Sequence, residues 1–295
     1  MAAWPRSLNG TVKNFDTVFV HFQTAGMSIL LFGLFGLFFS PAQSAQAAEI
    51  IFEGYYRVEV EGSGVGYAIQ RYEFDPKAKT FQAISFLRTK IGDQVVQESL
   101  KAKSNNKFQP ISYNYTSLVG TALSSIDATF KGTIMTVKKS DGKAVKTETS
   151  KIPEGTFLST FLIFVMLQKK LIVDQAFKYS AVAEEDGASY NGKAWLQAKE
   201  GSGPLTKFRI LNTFKGQDFI SNVVATPDPN PAEKDKYVKA EITGTDSPKM
   251  KLTTRLLPAN AATEGQMVPN KTLISLFGGV PTGKVNVVAN PPKDK

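Results

Sequence analysis

Ile152–Val173, IPEGTFLSTFLIFVMLQKKLIV, is the stretch on which the fold turns. From Phe157 to Leu167 it is apolar on every side, interrupted only by Ser159 and Thr160. A surface helix carries one apolar stripe, so a helix apolar all round must be enclosed by other structure or by a membrane. At ~11 residues it is too short to cross a bilayer, which takes ~20. The remainder of the chain therefore has to wrap it. The expected element is one buried helix at about 157–170, introduced by Ile152-Pro153-Glu154-Gly155. Lys169-Lys170 end it, where cations suit the partial negative charge of a helix C-terminus.

Outward from that segment, period-two alternation dominates after residue 50, the mark of half-buried strands. Tyr56, Val58 and Val60 alternate with Arg57, Glu59 and Glu61, and Gly62-Ser63-Gly64 turns the chain toward Val65, Tyr67 and Ile69. Strands are expected at 81–91, 94–102, 108–115, 122–131, 133–139 and 143–150, the last pair joined at the hairpin signal Asp141-Gly142. After the helix they resume at 175–183, 190–199, 205–215 and 219–226. Val238, Ala240 and Ile242, then Met250, Leu252, Thr254 and Leu256, complete the series. Consecutive strands joined by tight turns are antiparallel neighbours. About a dozen of them cannot stay flat, because twist accumulates. The expected architecture is mainly β, a large curved antiparallel sheet or incomplete β-barrel around one helix, in a single domain over 49–257.

Composition excludes several chemistries. The 295 residues contain no cysteine and a single histidine, His21. No disulfide, thiol nucleophile or lipidated cysteine is available. His21 precedes the expected cleavage point, so the mature chain cannot build a Ser-His-Asp site, a Cys-His site or the usual zinc sites. No catalytic residue, metal or cofactor is expected. An enzyme built from Ser, Lys, Tyr or carboxylates alone has the weakest support, since no pair stands at a diagnostic spacing.

Met27–Phe39 (MSILLFGLFGLFF) followed by Pro41 and the small-residue tract Ala42–Ala48 reads as a signal peptide, with Ala45-Gln46-Ala47 at the cleavage site. Residues 1–47 are thus expected to be a leader with an extended N-region, cleaved near Ala47. A start at Met27 and an uncleaved anchor are the competing views. Removing residues 1–48 leaves 33 basic and 25 acidic side chains, a net +8. The lysines are scattered, as on a solvated surface, and contact with an anionic membrane surface is the alternative. Residues 258–295 are expected to be mostly irregular, with one short helix around Asn270–Phe277.

Each candidate site has a plainer reading. Gly62-Ser63-Gly64-Val65-Gly66 resembles a phosphate loop, but a strand rather than a helix follows it. Glu184-Glu185-Asp186 and Asp228/Glu233/Asp235 match no calcium-loop spacing and read as solvated turns. Glu59 and Glu61 share a polar strand face directed to solvent, which does not suit paired acids for glycoside hydrolysis. Lys138, Lys139, Lys143, Lys146 and Lys151 surround one hairpin and read as edge protection. Tyr55, Tyr56, Tyr67, Phe74, Phe81, Phe86, Phe130 and Phe214 read as core packing. The candidate ligand cavity is assigned to Phe157, Leu158, Phe161, Leu162, Phe164 and Val165, with Tyr113, Tyr115 and Phe208 from the wall. No nucleic-acid recognition motif is present, and export argues against that partner.

Three local features carry a resemblance to a known group: Gly62-Ser63-Gly64-Val65-Gly66-Tyr67, Lys107-Phe108-Gln109-Pro110-Ile111, and Ile152-Pro153 before the helix with Leu171–Phe177 after it. Over roughly 52–257 the layout resembles bacterial periplasmic unclosed β-barrel proteins, the lipoprotein-localisation carriers and related uncharacterised envelope proteins. The resemblance implies a non-catalytic periplasmic or secreted protein whose apolar hollow receives a lipid, an acyl chain or another hydrophobic ligand. The alternative is an envelope scaffolding module with a permanently filled barrel and a protein partner. No site residue transfers from the group.

Overall fold

The structure is a computed structural model, and it describes residues 48–169, 172–201, 205–227 and 237–258. The expected leader, the helix expected near Asn270 and the acidic group Asp228/Glu233/Asp235 lie outside the described residues. Eight strands come first: β1 (Glu49–Val60), β2 (Ser63–Asp75), β3 (Thr80–Ile91), β4 (Gln94–Asn105), β5 (Pro110–Val119), β6 (Ala122–Lys131), β7 (Ile134–Ser140) and β8 (Val145–Lys151). A short β9 (Phe157–Leu158), a 3₁₀ turn (Ser159–Phe161) and α1 (Leu162–Leu167) follow. The chain then forms β10 (Ala176–Ala183), β11 (Ala188–Glu200), β12 (Thr206–Phe214), β13 (Gln217–Pro227), β14 (Tyr237–Ser247) and β15 (Leu252–Leu257).

All fifteen strands belong to one sheet, in the spatial order β8 to β1, then β15 back to β9. Each half is a meander. The halves meet where β1 pairs with β15, from Tyr55↔Leu257 to Val60↔Leu252. The break in the barrel therefore falls in mid-chain, between edge strands β8 and β9. The chain bridges that break once, at 152–156, and β9 then adds to β10 in parallel, Phe157↔Ala181 and Leu158↔Val182.

Side chains that can hold their own turns set the meander. Asp75 accepts from the Lys77 and Ala78 amides, and Asp141 from the Lys143 and Ala144 amides. Short polar side chains that bond the backbone two or three residues on favour such turns over continued strand. The sheet curls far enough to bring strands from opposite ends of its order together. A Cβ on Gly187, in the β10–β11 turn, would meet Val137 Cγ1 of β7 at 2.8 Å and Tyr113 Oη of β5 at 3.4 Å. With its φ of +68°, that position takes glycine on two grounds.

The apolar segment lies in the hollow, as its composition requires, but only Leu162–Leu167 is α-helical rather than the whole of 157–170. Phe157 and Leu158 are drawn into strand by the unpaired edge of β10, and Ser159–Phe161 wind more tightly. Phe161, Leu162, Ile163, Met166 and Leu167 are almost fully buried in one cluster with the inner faces of both sheet halves. Tyr72 Oη donates to the Thr160 carbonyl at 3.0 Å, and its ring lies 4.6 Å from that of Phe164.

Glu184 corrects the expectation of a solvated turn. It is fully buried, and Asp186 is buried beside it. The Glu184 carboxylate accepts from Ser159 Oγ at 2.5 Å and from the Thr160 amide at 3.1 Å. It satisfies donors that the first turn of a buried helical segment leaves open. The exposed edge strand β8 fits the edge reading of the lysine cluster: Lys139 and Lys146 both pair with Glu148. Such exposed pairs add little stability.

Candidate ligand basin

Between the wrapped segment and the β10–β12 wall, the hollow stays open as a basin of about 1040 Å³. That is at the upper end of ligand pockets, which span roughly 300–1,000 Å³. Three pieces of chain build it. The first is the β4–β5 turn carrying Phe108. Asn105 Oδ1 accepts from the Lys107 and Gln109 amides at 2.9 and 3.0 Å, and Asn105 Nδ2 donates to Gln109 Oε1 at 2.7 Å. This network holds Phe108 at a φ of +58°, a left-handed conformation that costs a non-glycine residue ~1–2 kcal/mol. The strained backbone turns the ring inward, stacked on Phe81 at 4.6 Å and 5.6 Å from Phe161.

The second piece is the bridging segment. Thr156 Oγ1 bonds the Pro153 carbonyl at 2.7 Å and Ser180 Oγ at 3.0 Å, fixing the crossing chain to β10. Phe157 and Val165 then face the basin from one end of the segment, with Gln168 and Lys169 at its rim. The third piece is an aromatic wall. Tyr179 lies 5.3 Å from Phe157, 5.8 Å from Phe177 and 6.0 Å from Phe214. Its hydroxyl donates to Asn212, so the buried polar tip is satisfied. A Cβ on Gly192 would overlap the Tyr179 ring, at 2.3 Å from Cζ, so β11 keeps glycine there to let the ring lie flat.

The charges around the basin are mixed. Lys107, Lys169 and Glu154, all exposed, line its margin. Lys178 and Lys193 are cross-strand partners on the face opposite Tyr179, so they contribute strand to the wall rather than charge to the hollow. Lys215 is held by Glu185 and Asp186. The chemistry on offer is apolar, aromatic contact with a polar margin.

A smaller cavity, deeper in the sheet's interior, holds about 30 Å³, room for one or two waters, and is lined by Tyr56, Gln70, Glu98, Tyr115 and neighbours. Burial pushes the Glu98 carboxyl up to about 7, against a lowering hydrogen bond from Tyr115. Desolvation also raises Glu184, opposed by its bonds from Ser159 and Thr160. Among the described residues no group of three or more His, Asp or Glu stands together as a metal cage, and no helix is long and apolar enough to cross a membrane.

Of the residues assigned to the cavity from sequence, Phe157 and Val165 line the basin. Leu158, Phe161, Leu162 and Phe164 are packed in the core, and Tyr113, Tyr115 and Phe208 are buried on the inner wall. Phe108, Phe177 and Tyr179 line the basin without having been assigned to it. Phe177 and Tyr179 were findable, since they alternate along a strand that directly follows the apolar segment.

No protein-family model matches the chain, and no curated protein matches it. A solved structure does. It is a β-barrel-like protein of a domain of unknown function, DUF1849, from Brucella abortus, 12% identical, with a TM-score of 0.47. The match covers 72% of this chain and 98% of that one. At that identity and score it is a similarity only.

Proposed function

We propose that this is an exported, non-enzymatic protein that holds a lipid, acyl chain or other hydrophobic ligand in the basin beside Phe157 and Val165. The basin itself carries the reading: about 1040 Å³ of space lined by Phe108, Phe157, Val165, Phe177 and Tyr179 among others. Apolar side chains held against a solid core lose contacts when left facing solvent, and an acyl chain restores them. The ligand enters without displacing the wrapped segment, because the space lies beside it. Titration of delipidated protein with a fluorescent fatty acid tests this. Saturable binding that non-fluorescent oleate displaces is expected, and an absence of binding up to the solubility limit of the probe overturns it.

One observation favours a second reading, a scaffolding module of the cell envelope. The hollow around Phe161 is filled and the segment in it is tied down by Tyr72 and Glu184. On that reading the basin receives a partner protein's side chains, and the fatty acid fails to bind while crosslinking in the native envelope captures the partner.

A further inference from the structure

The wall that closes the basin has a second side. On β11, Gly192, Ala194 and Leu196 are buried while Asn191, Lys193 and Gln197 are exposed, so one face of β10–β13 looks into the hollow and the other outward. Register sets out the outer face row by row. Lys178 stands directly opposite Lys193, and that row continues through Thr213 to Asp218. Two residues along each strand the row is apolar: Ala176, Trp195, Leu211 and Ile220. Trp195, Leu211 and Ile220 are each part-exposed. Ile172 and Val173, beside β11 through the Val173–Leu196 bridge, are 53% and 44% exposed.

Lys178 and Lys193 are both exposed, and among the described residues neither makes an ion pair. The acids on or beside this face lie elsewhere. Glu200 is the register partner of Lys207, and Asp174 precedes β10. Asp218 is two strands from Lys193, ~10 Å, and accepts from Thr213 Oγ1 at 2.6 Å. Like charges directly opposite one another weaken a strand pair, so the two lysines cost the sheet stability that an anionic surface would return. An indole at the edge of an apolar row, flanked by lysines and exposed aliphatic side chains, is a composition that settles at the headgroup level of a membrane. We infer that the outer face of β10–β12, with Ile172 and Val173 beside it, docks on an anionic lipid bilayer. Lys178 and Lys193 meet the headgroups, and Trp195 sits at their boundary with the acyl chains.

The shape of this face favours a bilayer over an acidic protein. The outer side of a curled sheet is convex, and a fluid surface of headgroups fits a convex face without the matched contours that a protein interface needs. The inference stands apart from the ligand reading, since oleate can fill the basin of a protein that never meets a membrane. Where both hold, the strand that carries Tyr179 toward the basin carries Lys178 toward the membrane.

Trp4 and Trp195 are the only tryptophans, so Trp4→Phe leaves Trp195 as the single emitter whether or not the leader is removed. The probe is a vesicle of phosphatidylglycerol and phosphatidylcholine with brominated acyl chains, at low salt. On its addition Trp195 emission is expected to shift to the blue and to be quenched. Lys178→Gln with Lys193→Gln should weaken that binding roughly 10- to 30-fold, since each lysine near an anionic surface is worth about fivefold. The urea midpoint of the double variant should stay level or rise, because a like-charge pair has gone. No quenching by these vesicles, or quenching that the double substitution leaves unchanged, overturns the inference. So does a lower midpoint, which would give the pair a role in the fold. A Trp195 shift on adding polyglutamate, with none on adding vesicles, assigns the face to an acidic protein and overturns it too.

Discussion

The two sides of the wrapped segment face opposite situations. One side, with Phe161 and Phe164, meets Tyr72 and Phe108 at ring distances of 4.6 to 6.1 Å and leaves no space. The other, with Phe157 and Val165, meets Tyr179 and then about 1040 Å³ of basin. Both are apolar, so hydrophobicity alone does not separate them. What separates them is the wall: next to β2 the sheet is continuous, whereas next to β10 it ends. The break in the barrel is thus where packing stops and binding can begin.

The largest expected effect comes from cutting into the packed side. Phe161→Ala should cost about 3–5 kcal/mol in urea unfolding, since the surrounding rings cannot collapse into the gap. A loss below ~1.5 kcal/mol would mean that this side is as loose as the other.

The second concerns charge inside the filled part. Glu98 has its carboxyl raised from the ordinary range to about 7 by burial, and Oε2 has no hydrogen-bond partner. The folded state therefore holds the proton longer than the unfolded chain. Stability from this group is intact below the unfolded value near 4.5 and falls as pH rises toward 7. Glu98→Gln should remove that slope and raise stability at pH 8 by roughly 1–3 kcal/mol. Fatty-acid binding should stay unchanged, because Glu98 does not touch the basin. Glu184→Gln, measured the same way, should also flatten its share of the slope, since the amide oxygen still accepts from Thr160. A steeper slope in either variant contradicts the assignment.

On the open side the balance reverses. Phe177→Ala should cost no more than ~1.5 kcal/mol of stability, as the ring is only half-buried, yet weaken fatty-acid binding about 5- to 10-fold. Smallest of all, Lys107→Gln with Lys169→Gln should change affinity less than about threefold, because rim charges are screened. A tenfold loss there would show that an anionic group, not the chain, carries the ligand's affinity.

Much of this was legible from residue order. Tyr56, Val58 and Val60 announce a strand with one inward face, Asp141-Gly142 announces a turn, and the all-round apolarity of Phe157–Leu167 announces its enclosure. Two things were not. Glu184-Glu185-Asp186-Gly187 is written like any exposed turn, and only the open donors at Ser159 and Thr160, 24–25 residues away in sequence, draw Glu184 inside. The division of the apolar segment into packed and open sides depends on where the sheet breaks, and spacing within the segment does not encode that.

Hydrogen exchange on delipidated protein with and without saturating oleate tests the account most directly. The amides of Leu162–Leu167 should exchange only through global unfolding in both states, while 107–109 and 176–180 gain protection when oleate is present. If the Leu162–Leu167 amides open well below the global unfolding free energy, or if oleate changes their protection and leaves the basin walls untouched, the picture of a fixed core beside a receptive basin is wrong.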